Sequence, residues 1–149
     1  KNLVIKNKIN FKMENKLNIS IYSFSYKKGG IPTDNSGNGG GFVFDCRGIL
    51  NPGRIDEYKP QTGNDKPVQE FLETKTEMPN FIGLIKELVS ITINDYIARG
   101  FDHLQISFGC TGGQHRSVYS AIKLGEFLQE KYPELVNVTV THNEQPQLN

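Results

Sequence analysis

The chain has 149 residues, the size of one ordinary domain, and its 17 basic and 16 acidic side chains leave a net charge of +1. That balance excludes a general electrostatic attraction for nucleic acid, and no apolar run approaches the ~20 residues a membrane-spanning helix needs. Two cysteines, Cys46 and Cys110, are too few for a disulfide framework, and with no Cys-x-x-Cys present they point to a reducing, cytoplasmic setting.

Residues 1–16 (KNLVIKNKINFKMENK) are Lys/Asn-rich and weakly patterned, and are expected to form a flexible N-terminal segment. Met13 fits a native start, so residues 1–12 are set aside, and no apolar core of a secretory signal is found there. Residues 17–26 (LNISIYSFSY) are rich in β-formers and predict a strand. Residues 27–41 hold six glycines and predict a loop. Residues 42–46 (FVFDC) read as a short buried strand, and residues 47–67, with three prolines, as a long irregular segment of the kind that carries function.

Helical patterning follows. Residues 67–74 begin with Pro67 at a favoured first-turn position. Residues 79–99 carry a wide apolar stripe that includes Phe81, Ile82, Ile85, Leu88, Val89 and Ile93, with Gly100 as the stop signal. Residues 103–109 (HLQISFG) predict a third strand, 110–116 (CTGGQHR) a connecting loop, and 117–131 a helix running toward Pro133. Residues 135–142 alternate Val136, Val138 and Val140 as a half-buried strand does, and 143–149 are expected to trail as a flexible tail. Strands separated by helices imply an α/β domain over 17–142, a mostly parallel sheet with flanking helices. Ligands in such sheets sit beyond the carboxyl ends of the strands. That directs attention to Ser25-Tyr26-Lys27, Asp45-Cys46-Arg47 and the segment from Cys110 to Ser117.

The last of these carries the most chemistry. Gly112 and Gly113 allow a tight turn between a strand and a helix, and the helix start aims unpaired N–H groups and its dipole at that turn. This is an anion site, with phosphate the usual occupant. Arg116 adds a fork for two oxygens, while Thr111, His115 and Ser117 add donors. The alternative for the same residues is a structural Gly-Gly turn with a solvated arginine. A catalytic reading also exists, because Cys110, five residues, then Arg116 and Ser117 match the pattern of cysteine-dependent phosphatases. Such an enzyme needs a general acid, and nothing in the spacing selects Asp45, Asp56 or Asp65. No catalytic residue and no cofactor are assigned. His103 and His142 have no metal-ligand spacing with each other or with the cysteines, so no metal is expected.

Taken together, GCTGGQHRSVYSAIKLGEFL, SFSYKKGGIP (23–32), FVFDCRGILNPG (42–53), TGNDKPV (62–68) and the helix from Phe81 resemble the C-terminal domain of RapZ-type (YvcJ) proteins, bacterial RNase adapters. The resemblance covers about residues 18–142. It implies a phosphofructokinase-type α/β subdomain that senses an amino-sugar phosphate, glucosamine 6-phosphate, and in enterobacterial members binds small RNA and recruits an RNase. It implies ligand-binding roles for Cys110, Thr111, Gly112, Gly113, His115, Arg116 and Ser117. To these it adds Asp45 and Arg47, Asn51 beside Pro52, and Thr62 and Asp65 of the Thr-Gly-x-Asp segment.

On chemistry alone, Asp45 could accept bonds from sugar hydroxyls or form a turn, Arg47 could hold phosphate or be solvated, and Thr62 to Asp65 could be an ordinary turn. Tyr26 and Lys27 could border the site, and Tyr119 reads as a packed residue. The sequence departs from the family in three places. No G-x-x-x-x-G-K-[ST] occurs, Gly53 stands where many members have His, and the final HNEQPQLN has no Lys or Arg. RNA binding is therefore expected to be weak, and the expected role is a sensor or regulatory module for a small phosphorylated metabolite. The protein partner and the oligomeric state stay open, homo-oligomers included.

Overall fold

The computed structural model describes residues 15–149, so the expected flexible segment 1–16 falls outside the described residues except for Asn15 and Lys16. The elements follow the predicted order. Strand β1 spans Leu17–Ser25, β2 Gly41–Asp45, helix α1 Lys66–Lys75, α2 Met78–Arg99, β3 His103–Cys110, α3 Arg116–Lys131 and β4 Val136–His142. Two 3-10 turns, Pro52–Arg54 and Asp56–Tyr58, lie in the irregular segment, and a third, Pro146–Leu148, follows β4. The last seven residues, expected to trail as a tail, fold back on β4: Asn149 Oδ1 accepts from the His142 N–H at 2.7 Å.

The four strands form one sheet in the order β2-β3-β1-β4, and all three pairings are parallel. Register explains why β1 and β3 are apolar on one side. Ile19 faces Leu104 and Ile21 faces Ile106 across the ladder. Their shared face meets Ile82, Ile85, Val89 and Ile93 of α2 and Ala121, Leu124 and Leu128 of α3 in the main core. The apolar stripe of α3 is spent on this face, as period-3.6 patterning requires, whereas the broader stripe of α2 buries Ile82, Ile85, Val89 and Ile93 and leaves Leu84, Leu88 and Ile91 exposed. The other face carries Asn18, Tyr22, Asn137 and Thr139, and the loop after β1 shields part of it: Gln105 Nε2 donates to the Pro32 carbonyl at 3.1 Å.

A second, smaller core sits under the irregular segment. Ile49, Val68, Leu72, Met78 and Tyr119 are buried in it, with Tyr58 and Phe71 packed alongside. It fixes residues 47–67 against α1 and α3. Because every strand runs the same way, Ser25, Asp45, Cys110 and His142 end at one edge of the sheet, and the irregular segment is held over that edge.

Candidate functional site

Strand β3 is central, so the loop that leaves it at Cys110 rises between the ends of β2 and β1. Ser25 Oγ donates to the Thr111 carbonyl at 2.6 Å and anchors the loop to β1. Gly113 then takes φ +67°, a left-handed conformation that side chains resist, and the chain turns into α3 at Arg116. His115, at the cap position, makes no side-chain capping bond. Among the described residues, no acceptor meets the backbone N–H groups of residues 112–118. The loop thus presents a set of unpaired donors at the positive end of a helix.

Arg116 is the central charge. It is only 5% exposed, and Nη1 donates to the carbonyls of Arg47 at 3.1 Å and Ile49 at 2.8 Å. Among the described residues no carboxylate pairs with it. A buried cation without an anion is costly, and a bound anion would relieve that cost. His115 is also buried, and its Nε2–H donates to the Tyr58 carbonyl at 2.8 Å. Burial holds its pKa below the ordinary histidine value, only partly offset by the Tyr58 carbonyl, so the ring stays neutral near pH 7.

These groups line a cavity of about 300 Å³. Of the residues predicted from sequence, Asn51, Cys110, Thr111, Gly112, His115 and Arg116 line it, together with Gly53. Three lining residues, Gly53, Lys59 and Gln114, are not among the site residues predicted from sequence. Gln114 lies within the loop after β3, and its amide donates to the carbonyls of Lys59 and Gln61, both at 2.7 Å. Lys59 carries no local signal. It arrives because the irregular segment closes over the loop, and its ammonium also pairs with Asp56 at 2.6 Å.

The remaining predicted residues are placed around the cavity rather than on its wall. Ser117 lies fully buried behind the loop, its Oγ 3.1 Å from Cys110 Sγ. Gly113 faces the chain end, not the cavity. Asp45 and Arg47 form a half-exposed fork at the rim, with Asp45 accepting from Arg47 N, Nε and Nη2 at 2.9, 2.9 and 2.8 Å. The Arg47 guanidinium holds the Asp45 carboxyl below the usual range and stacks on Tyr26 at 3.8 Å. Thr62 and Asp65 close on each other, Thr62 N donating to Asp65 Oδ2 at 2.7 Å, and the turn they make hands Gly63 N to the Gln114 carbonyl at 2.9 Å.

A hydrolytic reading through Cys110 meets two obstacles in this geometry. The thiol is 3% exposed and faces Ser117. Of the three carboxylates weighed as acids, Asp45 is bound to Arg47, Asp56 to Lys59 and Asp65 to Thr62, and none lines the cavity. Among the described residues, no cluster of three or more His, Cys, Asp or Glu is placed to hold a metal ion, and no helix is long and apolar enough to cross a membrane.

Comparison with known proteins agrees with the loop-bearing architecture. A family model described as the RapZ C-terminal domain matches residues 17–146. A nucleotide-binding protein of Fusobacterium nucleatum is 43% identical over 129 residues, covering 86% of this chain and 42% of that protein. One of Endomicrobium trichonymphae is 42% identical over 115 residues, covering 77% and 38%, and one of Fervidobacterium nodosum 38% identical over 134 residues, covering 89% and 44%. The chain thus spans about two-fifths of the length of these curated relatives. With most of its length matched by that model and identities near 40%, the chain belongs to the RapZ C-terminal domain family.

Proposed function

We propose that this domain binds a small phosphorylated metabolite and serves as a sensor or regulatory module. The observation that carries the reading is Arg116, a buried guanidinium with carbonyl partners and, among the described residues, no counter-anion, beside a loop of unpaired N–H groups. A phosphate monoester supplies the missing charge and enough acceptor oxygens for both. The cavity of about 300 Å³ is at the small end for ligand sites and suits a hexose phosphate. The family resemblance makes an amino-sugar phosphate such as glucosamine 6-phosphate the first candidate. The relatives' names, nucleotide-binding proteins, are compatible with a phosphate-holding loop. In this reading His115 and Asn51 meet the rest of the ligand, Lys59 adds charge, and Asp45 with Arg47 shapes the rim. The two buried, free thiols suit a reducing cytoplasm.

The test is calorimetry with hexose and amino-hexose phosphates on the parent and on Arg116→Ala. Losing a charge-assisted contact should weaken binding by about 10- to 150-fold. Equal affinities in folded proteins would remove Arg116 from the site and the proposal with it.

A further inference from the structure

The cluster that holds the phosphate loop includes a residue from the far end of the chain. Gly113 is wedged between the end of β1 and Glu144. A Cβ built on Gly113 would lie 2.8 Å from Glu144 Cγ, 3.0 Å from Glu144 Cβ and 3.1 Å from the Phe24 carbonyl carbon. The Glu144 carboxylate accepts from the Gly29 N–H at 3.1 Å. One half-buried side chain therefore touches the loop after β1 through its head and the phosphate loop through its stem.

Its own backbone is tied down on both sides. Asn143 N donates to the Ser23 carbonyl at 3.0 Å, and Asn149 closes the segment with bonds to both the N–H and the carbonyl of His142. His142 is itself fixed, Nδ1 lying 2.6 Å from Ser23 Oγ. The loop after β1 is joined to the same unit, since Ser25 Oγ accepts from Lys27 N and Lys28 N while donating to the Thr111 carbonyl.

We infer that Glu144 is a positioning residue for the phosphate loop, and that residues 143–149 form a strap whose seating is coupled to occupancy of that loop. The inference rests on the phosphate reading of the loop. The course of the loop depends on Gly113 keeping its left-handed conformation, and the Glu144 stem and the Phe24 backbone are packed against that residue. A ligand that fixes Gly113 steadies the surface on which the strap sits. Reciprocity then requires the seated strap to favour the ligand. Occupancy of the phosphate loop is then readable in the order of residues 143–149.

Binding of inorganic phosphate and of a hexose phosphate is measured by calorimetry for the parent, Glu144→Gln and Glu144→Ala. Amide hydrogen exchange of residues 143–149 is followed in the parent with and without saturating ligand. Glu144→Gln keeps the stem and an acceptor for Gly29, so it should bind as the parent does. Glu144→Ala should bind about 3- to 10-fold more weakly. Exchange in 143–149 should slow on saturation. If Glu144→Ala fails to fold, the exchange measurement on the parent decides alone. A parent that binds phosphate while its strap exchanges unchanged, or a folded Glu144→Ala that binds as tightly, overturns the coupling and leaves the phosphate reading standing. A parent that binds no phosphate compound overturns both.

Discussion

At the scale of single residues, the site separates groups that can touch a ligand from groups that hold those groups still. Cys110 illustrates the difference. Cys110 lines the cavity, yet its thiol lies 3.1 Å from the buried Ser117 hydroxyl and the residue is almost fully enclosed. Donors that converge on an anion bind it without breaking a bond. Hydrolysis would also need an in-line thiolate and an acid at the leaving oxygen. Cys110→Ser preserves a small polar group beside Ser117, so its affinity for a phosphate monoester should stay within about 3-fold of the parent. Neither protein should release the leaving group of an aryl phosphate above background. A burst of leaving group that disappears in Cys110→Ser would assign the thiol a nucleophilic role instead. The neighbouring thiol is out of contention for such chemistry: Cys46 is fully buried, and burial pushes its pKa far up.

At the scale of elements, the site exists because the irregular segment lies directly on the first turn of α3. Gly63 makes the closest approach. A Cβ there would sit 2.2 Å from the His115 carbonyl oxygen and 2.4 Å from Tyr119 N, the two ends of a helix-opening hydrogen bond. Gly63→Ala must push the segment off α3, and should cost about 1–3 kcal/mol in urea unfolding. Gly48→Ala, where the new Cβ meets nothing within 4 Å, is the control expected to stay near the parent. Equal stabilities would mean that the segment is not seated on the helix.

This contact also marks the limit of what the sequence discloses. The Val136, Val138, Val140 alternation and the apolar stripe of residues 79–99 are local patterns, and both elements form where the patterns lie. The loop from Cys110 to His115 was legible for the same reason, since strand, Gly-Gly and helix start are consecutive. Lys59 was not. Its place depends on Gln114 holding the Lys59 and Gln61 carbonyls, and on Tyr58 packing beside Phe71, partners that no spacing rule connects. The strap at 143–149 was missed because bonds to Ser23 and Gly29, more than a hundred residues away, give that short polar stretch its order.

At the scale of the whole molecule, the titratable groups give the fold a one-sided response to pH. His115 and His142 are both buried, and burial lowers the pKa of each in the folded state. An unfolded histidine takes up its proton near pH ~6.5, while the folded protein resists doing so. The stability these residues allow is therefore complete above about pH 6.5 and is lost as the pH falls below it, with a limiting slope of about 1.4 kcal/mol per pH unit for each ring. The loss from each ring stops once the pH drops through its folded value. Asp34 and Asp45 extend the decline into more acid solution. Hydrogen bonds from Ser36 and Gly40 hold the Asp34 carboxyl low, and Arg47 does the same for Asp45. Their contribution is present above the unfolded carboxylate value of about 3.9 and is lost as the pH falls through the lowered folded ones. Urea midpoints measured from about pH 7.5 down to about pH 3 should fall in two stages, the first beginning near pH 6.5. His142→Asn keeps a polar partner for Ser23 Oγ and removes one proton-binding ring, so the first stage should be shallower in that variant. A midpoint that holds constant from pH 7.5 to 5 would show that both rings accept protons within the fold as readily as outside it, contrary to their burial.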